Sequence, residues 1–118
     1  MPQITVDYSA DLADDFDRPG FAKALHEATV EIAAAKPPAC KTRFRPTEDI
    51  VVGPQAEGHA HVHVHFALLA GRTEETKARL TEAALELLRT YVKPAEGLVL
   101  HASAEVRDLD ASYRKFES

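Results

Sequence analysis

The chain has no tryptophan and a single cysteine among its 118 residues. With Cys40 alone no internal disulfide can form, and a reducing, cytoplasmic setting is the expectation. Positive charge is scarce as well. Fourteen Lys and Arg against 19 Asp and Glu leave a formal charge of −5, which argues against a nucleic-acid partner. No apolar run approaches the roughly 20 residues of a membrane span. The N-terminus does not read as a basic segment followed by an apolar one, so no secretion signal is expected either. The length fits a single domain, 1–118, with a modest core.

What the chain does contain is periodicity. In Met1-Pro2-Gln3-Ile4-Thr5-Val6, Ile4 and Val6 alternate with Gln3 and Thr5, the period of a strand, here expected over residues 3–8. Initiator methionine is usually trimmed before a small residue, and trimming would leave Pro2 as a secondary amine at a strand end. Burial lowers the pKa of such an amine from the ~8 of an ordinary α-amino group and makes it a candidate base. Residues 9–17 read as a solvated acidic loop. Asp17 and Pro19 then open a helix whose apolar face is Phe21, Ala24, Leu25, Ala28, Ile32 and Ala35, closed by Pro37-Pro38. Cys40, Thr42 and Phe44 alternate with Lys41, Arg43 and Arg45 in a second strand. Its three cations share a face, as on a protected sheet edge or in an anion site. Pro46 is expected to break this strand, and residues 49–52 to resume the sheet.

Residues 59–69 give the clearest strand. Ala60, Val62, Val64 and Phe66 point one way and His59, His61, His63 and His65 the other. After the turn Ala70-Gly71-Arg72, Thr73 caps a second helix with Glu74 and Glu75 in its first turn. Leu80, Ala83, Ala84, Leu87, Leu88 and Tyr91 form its stripe. A fourth strand starts at Leu98 and runs to about Val106, and a polar tail follows. The order is β-α-β twice, in pseudo-repeats of about 1–56 and 57–118. Right-handed crossovers would build a four-stranded sheet with two helices on one face. The uncovered face calls for a partner, hence a homo-oligomer.

Three stretches together are similar to a known family: Met1-Pro2-Gln3-Ile4-Thr5-Val6-Asp7-Tyr8-Ser9, Ala70-Gly71-Arg72-Thr73, and Leu98-Val99-Leu100 with Glu105 and Tyr113-Arg114 beyond. The chain resembles the tautomerase superfamily, and within it the 5-carboxymethyl-2-hydroxymuconate Δ-isomerases. The resemblance implies an α/β (α+β) fold of doubled β-α-β units in a homotrimer. It also implies an isomerase that shifts a proton in an unsaturated di- or tricarboxylic acid without a metal or organic cofactor. By position, Pro2 matches the proton-carrying proline, and Arg72 and Arg43 match arginines that hold substrate carboxylates. Lys41 falls where these isomerases carry another arginine, so the charge is kept and the bidentate fork lost. The alternative reading is a non-catalytic metal- or small-ligand-binding protein on the same fold, using His59, His61, His63 and His65. His-x-His on a strand suits zinc or iron, but the sequence offers no acid or cysteine to complete that site. A polar face between subunits, with the rings hydrogen-bonded, is the preferred account of the ladder.

Overall fold

The computed structural model describes residues 2–118. The first unit comprises β1 (Gln3–Ser9), α1 (Arg18–Ala33) and β2 (Lys41–Thr47), and the second β3 (His59–Leu68), α2 (Glu74–Tyr91) and β4 (Val99–Asp108). The strands lie in the order β2-β1-β3-β4. Within each unit the two strands are parallel, and β1 runs antiparallel to β3 at the centre. This is the doubled β-α-β expected from the sequence.

The core lies between the sheet and the two helices. Ile4, Val6, Val62, Val64 and Phe66 are fully buried on the covered face and meet Phe21, Leu25, Leu80, Ala84 and Leu88 of the helices. Capping follows the sequence signals. Asp17 accepts a hydrogen bond from the Gly20 amide at 3.1 Å, and Thr73 from the Thr76 amide at 3.1 Å. Glycine at position 20 leaves room for the cap, because a Cβ there would sit 2.9 Å from the Tyr91 ring and closer still to the Asp17 carboxylate, and those side chains would have to shift.

Four expectations need correction. Residues 9–17 are not a plain solvated loop: Ala10–Asp15 form a 3-10 helix, and Leu12 and Phe16 are buried. Leu12 and Phe16 stand one helical turn apart, but two apolar residues among Asp11, Asp14, Asp15 and Asp17 are too few to outweigh the acidic composition. Pro46 does not break β2, which continues to Thr47. On an edge strand the missing N–H can face away from the ladder at no cost. Residues 49–52 do not resume the sheet. Val52 and Gln55 instead close a tight turn through mutual backbone hydrogen bonds of 2.8 and 3.0 Å. Finally, α1 ends at Ala33, where Ala34 adopts φ 56°, before the prolines are reached. Its stripe is completed by Thr29, fully buried because its hydroxyl donates to the Leu25 carbonyl at 2.7 Å.

Phe21 stands edge-on to Phe16 at 5.6 Å and to Tyr91 at 6.4 Å, so it joins α1 to both the 3-10 helix and α2. Phe21→Ala is expected to cost about 3–5 kcal/mol, read from urea denaturation. A loss below about 1 kcal/mol would contradict this packing.

Candidate active site

The starts of β1 and β2 and the end of β3 lie at one end of the sheet. Gln3 is opposite Lys41 on one side and Ala67 on the other. Pro2 therefore enters this end just before Gln3, and its carbonyl accepts from the Lys41 amide at 3.2 Å. Pro2 is buried and shares its parity with Ile4 and Val6, which face the helices. The expected loss of Met1 concerns a residue outside those described.

Arg72 reaches the same end from the turn after β3. Its Nε and Nη2 donate to the Ala33 carbonyl at 3.2 and 3.0 Å, and Nη1 donates to the Leu69 carbonyl at 3.2 Å. These bonds tie the end of α1 to the β3–α2 turn. They use three of the five guanidinium N–H groups and bring no negative charge. Among the described residues no carboxylate lies within ion-pair distance of Arg72, so a charge and two donors remain for an anion.

Lys41 and Arg43 belong to the other side of the sheet. Both are exposed on the uncovered face, in line with Gln3 and Thr5. Arg43 donates to the Thr5 hydroxyl at 3.3 Å and has no carboxylate partner among the described residues. The Lys41 ammonium lies 3.7 Å from the Glu117 carboxylate of the C-terminal tail. Tyr113 of the tail accepts from Gln3 at 3.3 Å. One chain thus sets Pro2 and Arg72 at a common end, and presents Lys41 and Arg43 on the opposite face.

That uncovered face is mostly polar. A concavity of about 660 Å³ is lined by Thr5, Asp7, Arg43, Arg45, His63 and Glu105, among others. Arg45 grips Asp7 through two hydrogen bonds of 2.7 and 3.0 Å, which holds the Asp7 carboxyl below its usual range. His63 meets Ser103 at 2.7 Å and Glu105 at 3.2 Å, and the latter contact lowers the Glu105 carboxyl. The His61 ring stacks on His63 at 6.3 Å. Burial, then the neighbouring His63 and His101, push His61 below the ordinary histidine range, opposed only by Asp7. Sequence reasoning missed His101, Ser103 and Arg45 as members of this lattice. The first two stand beside the ladder only through the β3–β4 register. Among the described residues no three His, Cys, Asp or Glu side chains converge to hold a metal ion, so the four-rung ladder is not a metal centre as a whole.

Below neutral pH, Asp7, Glu105 and His61 act in one direction. Asp7 and Glu105 titrate lower in the folded state, so their stabilisation holds above the unfolded carboxylate range and is lost as pH falls through it. His61, also depressed, favours the folded state above about 6.5 and loses that contribution as pH falls below this. The thermal midpoint is therefore expected to fall steadily from about pH 7.5 to pH 4, with His61→Gln flattening the upper part of the curve. A midpoint constant over this range would refute the assignment.

Among curated proteins none matches the chain in sequence. Solved structures share the fold. A 5-carboxymethyl-2-hydroxymuconate delta-isomerase superposes with a TM-score of 0.83 at 13% identity, covering 100% of this chain and 89% of its own. A 5-carboxymethyl-2-hydroxymuconate isomerase from Deinococcus radiodurans R1 gives 0.74 at 20% identity, covering 98% and 90%. A fused 4-OT described as a symmetric trimer gives 0.74 at 22% identity, covering 91% and 85%. Among the described residues no helix is long and apolar enough to cross a membrane. The sequence pattern of one family matches residues 2–116, from Pro2 to the C-terminal tail. The chain belongs to the 5-carboxymethyl-2-hydroxymuconate isomerase family, within the tautomerase fold.

Proposed function

We propose that the protein is a cofactor-independent isomerase of the tautomerase class. It moves a proton between positions two atoms apart in an unsaturated di- or tricarboxylic acid such as 5-carboxymethyl-2-hydroxymuconate, in the breakdown of aromatic compounds. The observation that carries this reading is the buried Pro2 at the sheet end shared with Arg72, in a chain whose family match begins at Pro2. Once Met1 is removed, the Pro2 nitrogen is a secondary amine. Burial disfavours its cation, leaving it basic enough to take a proton and weak enough to return it near neutral pH. The amine removes a proton from carbon or enol oxygen, the electron pair moves into the conjugated system, and the same proton returns two atoms along. The two unused N–H groups of Arg72 bind a substrate carboxylate. A cation beside the site also stabilises the dienolate oxygen as charge moves onto it.

Arg43 and Lys41 fit this reading in a homotrimer. They face away from their own Pro2, so each serves the Pro2 of an adjoining copy seated against the uncovered face. The trimeric 4-OT neighbour supports such an assembly, as does the polar face left open in one chain.

The test begins with the intact mass of tag-free protein, where loss of one methionine is expected. In an assay on unsaturated dicarboxylic acids, Pro2→Ala is expected to lower kcat by about 10²–10⁴-fold. Arg72→Ala is expected to act mainly on KM, by about tenfold or more. Retention of Met1, or full activity of Pro2→Ala, would reject the proline as proton carrier. Sharing of sites is tested by refolding Pro2→Ala together with Arg43→Ala. Mixed trimers should recover activity that neither variant has alone, whereas simple averaging of the two would place Arg43 in the site of its own chain.

A further inference from the structure

The isomerase reading leaves the histidine strand unused, and its four rings are not equivalent. His63 is committed to Ser103 and Glu105, and His61 is stacked on it. His59 is different. Its Nε2 lies 2.6 Å from the Gln55 Oε1, and its Nδ1 lies 2.9 Å from Nε2 of His101 on β4. A carboxamide oxygen only accepts, so the neutral His59 ring carries its proton on Nε2 and turns a bare Nδ1 lone pair toward His101. One proton, on His101 Nε2, lies between the two facing nitrogens.

We propose that His59 and His101 form a two-imidazole chelate for a divalent transition-metal ion of the zinc class, separate from the Pro2 site. Three observations carry it. The first is distance. With metal–nitrogen bonds of about 2.05 Å, nitrogens 2.9 Å apart subtend about 90° at the ion, the cis angle of octahedral or square-planar coordination. A tetrahedral ion needs about 3.3 Å, which the rings reach by opening about 0.4 Å. The second is the partner on the far nitrogen. Gln55 holds the His59 tautomer and ring direction, as outer hydrogen bonds do for metal-binding histidines. Gln55 is itself fixed by the two backbone hydrogen bonds to Val52. The third is charge. A concavity of about 280 Å³ beside His59 is lined by Asp11, Glu48, Asp49 and Glu57 and by no lysine or arginine. Its field favours a cation and opposes an anion.

An entering ion replaces the proton between the rings. His101 then takes its other neutral tautomer, with the proton on Nδ1, and because an ion about 2.05 Å from both nitrogens lies off the line joining them, each ring turns from its hydrogen-bonding direction so that the two lone pairs converge on the metal. Water completes the coordination, consistent with the absence of a third convergent side chain among the described residues. The chelate joins β3, β4 and the turn at residues 52–55 at the start of β3. Pro2 lies beyond the other end of that strand, about 30 Å away at 3.3 Å per residue. The chelate stands or falls independently of the isomerase assignment.

The test uses tag-free protein at about pH 7.5, because metal affinity depends on pH. Co²⁺ is titrated with the visible d–d bands as readout, and Zn²⁺ by calorimetry. One ion per chain is expected. His59→Ala and His101→Ala should each weaken binding by tenfold or more, and Gln55→Leu by about tenfold. His63→Ala and His65→Ala should leave it unchanged. Zn²⁺ should raise the thermal midpoint of the wild type but not of His101→Gln, a substitution small enough to retain the fold by circular dichroism. Absence of saturable binding, or binding that survives in the His59→Ala/His101→Ala double variant, would overturn the proposal.

Discussion

The pairing of β1 with β3 decides where every other residue faces. Val6 lies opposite Val64 and Ile4 opposite Phe66, while Thr5 lies opposite His65 and Asp7 opposite His63. A slip of one residue would turn Ile4 and Val6 to the polar side and Asp7 to the core. Exposing each apolar side chain costs about 1.5–3 kcal/mol, and burying an unpaired carboxylate costs more. The register is held by those sums on both faces. Because β2 and β4 are parallel extensions of the central pair, their faces follow from it. Phe44, Leu100, Ala104 and Val106 pack on the core, and Lys41, Arg43, Arg45, Ser103 and Glu105 stand on the other side.

The elements that could be read from sequence are those whose chemistry is local. The alternation of histidine with Ala60, Val62, Val64 and Phe66 gives β3 and its two faces. Asp17 and Thr73 give the starts of both helices, since a cap needs only its own next three residues. The doubled β-α-β follows from element order and crossover length. The misread parts depend on neighbours distant in sequence. Phe16 is buried because Tyr8, Phe21 and Phe44 surround it. Pro46 is tolerated because β2 is an edge, which is a property of the sheet and not of the strand. Thr29 enters the core because its hydroxyl has an acceptor one turn back, and its polarity hid this.

The candidate site was legible to a different depth. Pro2 is legible as a trimmed strand end, and Lys41 and Arg43 as cations on one strand face, while Arg72 and the roles of all four come through the resemblance. The structure adds direction. Arg72 hooks over the end of α1 on the carbonyls of Ala33 and Leu69. Arg43 is two residues into β2 on the far face. Had Arg72 been paired with a carboxylate, as Arg45 is with Asp7, little of its charge would remain for a ligand. Carbonyl acceptors position the guanidinium while leaving its charge intact, as an anion site requires.

The same comparison separates the amine from the imidazoles as proton carrier in the proposed reaction. A carrier has to be dry enough to stay unprotonated, close to cations that hold the substrate, and free of a competing acceptor. Pro2 is buried at the end where Arg72 keeps unused donors. His63 is occupied by Ser103 and Glu105, which leaves neither ring nitrogen free for a substrate. His59 is occupied by Gln55 and His101 at the opposite end of the sheet. The histidine face is thus built for pairing, ring against ring and ring against acid. The proline end holds a guanidinium, that of Arg72, with no carboxylate partner among the described residues, and in the proposed reaction it is there that an acidic substrate meets both a cation and a base.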